Sequence, residues 1–124
     1  MAGRARDTFC ADTRAELAKR GWLAPAWPVE YGGAGLDAAA HFVLVEELAQ
    51  AGIPNGSDND AFGITMLGNT MLRWSEPDLL ARFLPRIVSG EYVFAQGFSE
   101  PGAGSDLAAL ATRAELQGDH WVLN

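Results

Sequence analysis

The spacing of apolar residues changes once along this chain, near Gly90, and that change limits the fold more than any other feature. Before it, apolar residues recur at helical spacing between glycine and proline stops. After it, Tyr92 to Phe98 and Thr112 to Leu123 read as extended segments. A length of 124 residues is enough for one compact core. The pattern therefore predicts a mainly α fold: a helical domain over residues 1–90, then an incomplete β-segment over residues 91–124.

Within the first part, Asp7 to Arg20 forms a helix candidate with a sparse apolar line at Phe9, Thr13 and Leu17, closed by Gly21. The stretch Trp22 to Gly35 holds two prolines and three glycines that stop any regular element. Its Trp22, Trp27 and Tyr31 are too apolar to leave in water, which predicts an ordered loop packed on helices. Asp37 is placed to cap a helix from Ala38 to about Ala51, and because Phe42, Val43, Leu44, Val45 and Leu48 occupy nearly every side, that helix is expected at the centre of the domain.

After a polar loop, Asn55 to Asp60, Ala61 to Arg73 reads as a helix despite Gly63 and Gly68, whose presence suggests close approach of another backbone or a ligand. Ser75 and Asp78 resemble a capping box for a last helix starting at Glu76, which Pro85 should break or kink before Gly90 ends it. The expected core is Phe42, Val45, Leu48, Met66, Leu79, Phe83 and Leu84.

Beyond Gly90, Tyr92, Phe94 and Phe98 fall on one side of an extended segment, and Gly118-Asp119 is a two-residue hairpin turn between Thr112–Gln117 and His120–Leu123. The second strand has no onward partner, so the end at Asn124 looks like a truncation.

Charge and special residues remove whole classes of function. Nine basic against sixteen acidic residues give a net charge of −7, which disfavours nucleic acid and anionic membranes as partners. With Cys10 as the single cysteine, an internal disulfide and an all-cysteine metal site are ruled out. His41 and His120 lack partners at ligand spacing, so no metal is expected. Glu46 and Glu47 face different directions on a helix and make a poor catalytic pair. No apolar run approaches the roughly 20 residues that cross a bilayer, and no secretory signal is visible, so the expected location is cytoplasmic.

One stretch carries chemistry: Phe94-Ala-Gln-Gly-Phe-Ser-Glu-Pro-Gly-Ala-Gly-Ser-Asp106. It sets the hydroxyls of Ser99 and Ser105 around a Pro-Gly-Ala-Gly turn, where backbone N–H groups can converge on a phosphate or a flavin edge without a Cβ in the way. The dinucleotide fingerprint and the P-loop both fail, for want of a third glycine and of Gly-Lys-Ser/Thr. The residues alone leave a second reading open, a plain tight turn between two elements.

Ser99-Glu-Pro-Gly-Ala-Gly-Ser-Asp106 resembles the signature of the acyl-CoA dehydrogenase family. The order of Gly21-Trp22, Pro28, Tyr31-Gly-Gly-Ala-Gly35, Glu46-Glu47-Leu48, Phe83-Leu84-Pro85 and Gly90-Glu91 is similar to that family over about residues 14 to 124. The resemblance implies the amino-terminal helical domain and the start of the middle β-domain of an FAD enzyme. Gln96, Gly97, Phe98, Ser99, Gly104 and Ser105 would border FAD, with Ser99 at the polar edge of the isoalloxazine and Ser105 also touching the acyl-CoA substrate. In the family a carboxylate removes the α-proton while the β-hydrogen leaves as hydride to the flavin, giving a trans-2-enoyl-CoA. That base belongs to the carboxy-terminal helical domain, so no catalytic residue is expected here and the piece alone should be inactive.

The resemblance also implies an electron-transfer acceptor protein as partner and a homo- or hetero-tetramer. Alternatives are an acyl-CoA oxidase, a flavin monooxygenase of the same architecture, or a short non-catalytic binding subunit. Gln96 stands where some members carry an aromatic residue, which leaves chain-length preference open.

Overall fold

The computed structural model describes residues 3–57 and 60–124. Four helical segments precede one hairpin: α1 (Gly3–Lys19), α2 (Ala38–Gln50), α3 (π-helical Ala61–Gly68 running into α-helical Asn69–Trp74), α4 (Pro77–Ser89), then β1 (Ala114–Gln117) and β2 (His120–Leu123). The mainly helical reading therefore holds. The side chain of Phe9 lies outside the described residues, while Leu17 of the same stripe is buried.

The core gathers on α4. Leu80, Leu84, Ile87 and Val88 are buried at spacings of one face of a helix, and Leu84 is 0% exposed. Leu17 of α1, Leu48 of α2, and Ile64 and Met71 of α3 pack with them, joined by Leu23, Ala24 and Trp27 from the loop after α1. That loop is ordered by its own hydrogen bonds, Gly35 N to Trp27 O at 2.9 Å and Leu36 N to Pro25 O at 2.8 Å. Trp27 is 3% exposed, and its Nε1 donates to Asn69 Oδ1 at 2.8 Å.

The expected centre of the domain is corrected. The Asp37 cap on α2 forms, its carboxylate accepting from Ala40 N at 2.8 Å, but Leu48 is the one buried residue of the helix. Phe42 is 64% exposed, Val43 57% and Val45 36%. Only the stripe His41, Leu44 and Leu48 turns inward. A helix apolar on all sides shows that it is to be covered, not by what, and this chain covers one side. Met66 and Leu79 are likewise exposed, and Phe83 is half-buried against the core.

Two local expectations at α4 also change. Ser75 is not the cap: Pro77 forces the residue before it into extended backbone, so Glu76 (ψ 151°) becomes the N-cap, without a side-chain hydrogen bond. The helix does not break at Pro85 but continues to Ser89, because burial of Ile87 and Val88 in the final turn offsets the roughly 3 kcal/mol cost of an internal proline. Gly90 ends it at φ 84°, a value that disfavours any side chain.

Beside each glycine of α3 stands a side chain of this chain, where approach of another backbone or a ligand was expected. The Trp27 ring occupies the place of a Cβ on Gly68, and Ile87 Cγ2 lies 3.0 Å from that place on Gly63. Among the described residues no helix is long and apolar enough to cross a membrane.

β1 and β2 pair antiparallel in the register Gln117↔His120, Leu116↔Trp121. The turn has positive φ at Gly118 alone, as a II′ hairpin turn requires. Leu116, Trp121 and Leu123 share one face and all are exposed.

Candidate functional site

Between α4 and the hairpin the chain is extended but makes no strand. Residues 93–99 lack a paired neighbour, and propensity without a partner gives no ladder. This corrects the strand expected at Tyr92 to Phe98. The segment is instead pinned at its start by Tyr92, whose N–H donates to Arg86 O at 3.0 Å and whose ring lies 5.9 Å from that of Phe83. Phe94 is half-buried against the core, and Phe98 is 78% exposed.

The octapeptide forms a closed turn. Glu100 and Ala103 exchange both backbone bonds, at 3.0 and 3.1 Å, and Ala103 is buried at 2% exposure. Around that anchor everything else points outward, with Ser99, Gly102, Gly104 and Ser105 exposed. The amides of Gly102, Gly104 and Ser105 donate to no other described residue. Gly97, Gly102 and Gly104 do not have positive φ, and a Cβ on any of them would meet nothing within 4 Å. Neither backbone conformation nor packing within this chain demands glycine there. The loop's surface at these glycines is open.

Glu100 was not singled out by its spacing, yet it sets the loop. Its carboxylate accepts from Ala111 N and Thr112 N, each at 2.8 Å, fastening the turn to the approach of β1. The Thr112 side chain and these two amides hold the Glu100 carboxyl below its ordinary range, outweighing desolvation. A depressed pKa means that the tether is complete above the ordinary glutamate range and is lost as pH falls through the lowered value. Hydrogen exchange at the Ala111 and Thr112 amides should accordingly quicken, relative to a random-coil reference, on acidification below about pH 4. Glu100→Ala should abolish that pH dependence, and equal protection in both proteins would show that the contact does not hold in solution.

A groove of about 390 Å³ lies beside the loop's amino-terminal arm, with Phe62, Met66, Leu67 and Thr70 of α3 on one side and Phe94, Ala95 and Gln96 on the other. The structure thus places Gln96 on this groove and the other predicted residues, Gly97 to Ser105, along the exposed turn. The sequence had put Met66 in the core, and Phe62, Leu67 and Thr70 had no signal at all. A second cavity of about 310 Å³ is lined by Arg14, Ser57 and Asp60. There Arg14 Nη2 meets Asp60 Oδ1 at 2.6 Å and also donates to Ile87 O at 3.2 Å, so its guanidinium is committed to structure. Among the described residues no three His, Cys, Asp or Glu side chains form a metal-binding group.

A family profile described as "Acyl-CoA dehydrogenase, N-terminal domain" matches residues 2–91. The chain belongs to the acyl-CoA dehydrogenase family. Acyl-CoA dehydrogenase IpdE1 of Mycobacterium tuberculosis is 46% identical over 108 residues, which are 87% of this chain and 28% of that protein. Among solved structures, the ChsE4-ChsE5 complex from Mycobacterium tuberculosis superposes with a TM-score of 0.71 at 36% identity, over 98% of this chain and 32% of that one. The steroid acyl-CoA dehydrogenase (ACAD) Tcur3481-Tcur3483 gives a TM-score of 0.69 at 38% identity, over 90% and 28%. This acyl-CoA dehydrogenase chain thus spans less than a third of the length of these relatives.

Proposed function

We propose that residues 1–90 form the amino-terminal helical domain, and residues 91–124 the opening of the middle β-domain, of an FAD-dependent enzyme that desaturates an acyl-CoA between its α and β carbons. FAD, when bound, accepts the hydride. The chain's own part is to hold and orient: Gln96, Gly97, Phe98, Ser99 and Gly104 border the flavin, with the Ser99 hydroxyl and amide at the ring's polar edge. Ser105 borders both flavin and acyl-CoA. The observation that carries this reading is the outward-facing octapeptide, whose glycines stay open-sided and whose amides at Gly102, Gly104 and Ser105 donate to no described residue. The base that takes the α-proton and the remaining flavin contacts lie in parts of the enzyme beyond these residues. An electron-accepting protein partner and a tetramer of like or related chains complete the proposal; the two-protein ChsE4-ChsE5 complex among the relatives supports assembly with a second chain.

The test is a pair of substitutions in the full-length flavoprotein. Ser105→Ala removes one neutral hydrogen bond of about 0.5–1.5 kcal/mol, so acyl-CoA affinity should fall roughly two- to twelve-fold with flavin still bound. Ser99→Ala should instead lower flavin retention or shift the flavin spectrum. If Ser105→Ala leaves acyl-CoA affinity unchanged and Ser99→Ala leaves flavin content and spectrum unchanged, the octapeptide is only a structural turn.

A further inference from the structure

We infer that Gln96, together with Thr70, makes the groove between α3 and the Phe94–Gln96 segment select an acyl group that carries an oxygen function over an alkyl chain of equal length. The inference rests on the acyl-CoA reading above and adds the class of acyl group. At about 390 Å³ the groove is near the lower end of the roughly 300–1,000 Å³ typical of small-molecule sites, so it suits the acyl part of a thioester and not the CoA. Its walls are hydrocarbon, aromatic ring or thioether at Phe62, Met66, Leu67, Phe94 and Ala95.

Two side chains depart from that pattern. Thr70 Oγ1 donates to Met66 O at 2.8 Å, which commits its hydrogen and leaves its oxygen as an acceptor. Gln96 lines the groove from an exposed position, and its amide carries two donors and an acceptor. A plain alkyl chain in this groove strips water from the Gln96 amide and returns nothing, whereas a ketone or hydroxyl on the chain replaces the lost bond. Sites built this way discriminate against ligands that leave their polar groups unpaired.

The experiment compares kcat/KM of the full-length flavoprotein for octanoyl-CoA with that for oxo-octanoyl-CoA carrying its ketone at carbon five, six or seven. The best oxo substrate is expected to be preferred about two- to twelve-fold, and Gln96→Leu should remove most of that preference. Thr70→Val, which keeps the groove's shape, serves as a second variant for hydroxy-octanoyl-CoA, where an acceptor is needed. Equal kcat/KM across the series, or a preference that survives both substitutions, overturns the inference. Flavin bleaching by octanoyl-CoA separates the two levels: if bleaching occurs without oxygen preference, the acyl-CoA reading stands and this inference falls, and if no acyl-CoA bleaches the flavin, both fall.

Discussion

Trp27→Ala is expected to lower the stability of the helical domain by about 3–5 kcal/mol, the usual cost of emptying a large buried aromatic site. The side chain is 3% exposed, bonds Asn69 through Nε1 at 2.8 Å, and lies over Gly68 of α3. Its removal leaves a cavity beneath the loop after α1 and an unpaired Asn69 oxygen. Trp27→Phe, which keeps most of the area and loses the hydrogen bond, should cost less. From the other side, Gly68→Ala puts a methyl group where the indole stands and should cost about 1–3 kcal/mol through overpacking. Urea titrations followed by far-UV circular dichroism check all three, and a Trp27→Ala loss below about 1 kcal/mol would mean that the indole is not part of the core in solution.

Asp60→Asn is the second large effect. Arg14 and Asp60 join α1 to the start of α3, and side-chain exposures of 17% and 10% put the pair short of full burial. Breaking a fully buried pair costs about 3–5 kcal/mol and an exposed one less than about 1, so about 2–3 kcal/mol is expected here. Burial raises the Asp60 carboxyl, but bonds from Arg14 and from the Ser57 amide and hydroxyl, with the Arg14 charge, outweigh it and leave the pKa below the ordinary value. The pair's stabilisation is therefore complete above the unfolded carboxylate range and is lost as pH falls below about 4. Urea midpoints measured from pH 6 to pH 3 should fall more steeply for the wild type than for Asp60→Asn. Parallel curves would assign acid sensitivity to other carboxylates.

The cap at Asp37, the stop at Gly90 and the turn at Gly118 were legible because each depends on a single residue, whereas the cap at Ser75 and the break at Pro85 were overridden by Pro77 and by core packing. The centre of the core was not legible. Apolar content along α2 marked it for burial, but which helix becomes the hub depends on how helices cross, and α4 is the one that packs against both α1 and α3. The π-helical stretch Ala61–Gly68 was equally hidden, since the apolar spacing there reads as an ordinary helix. At the loop, residue types pointed to Gln96 through Ser105. They did not show Glu100 as the tether, because its partners are backbone amides, which every residue but proline carries alike.

The Glu100 tether decides which half of the molecule aims the two serines. Ser99 and Ser105 flank a turn closed on itself by Glu100 and Ala103, and the same glutamate grips the peptide leading into β1. The turn and the start of the hairpin are thus one mechanical unit, connected to the helices through the extended arm that Tyr92 and Phe94 hold. A tilt of the sheet is passed to the turn through the Glu100 carboxylate, and a shift of the helices through the extended arm. An insertion between Asp106 and Leu110 would therefore strain the Glu100 tether, and with it the turn that carries both serines.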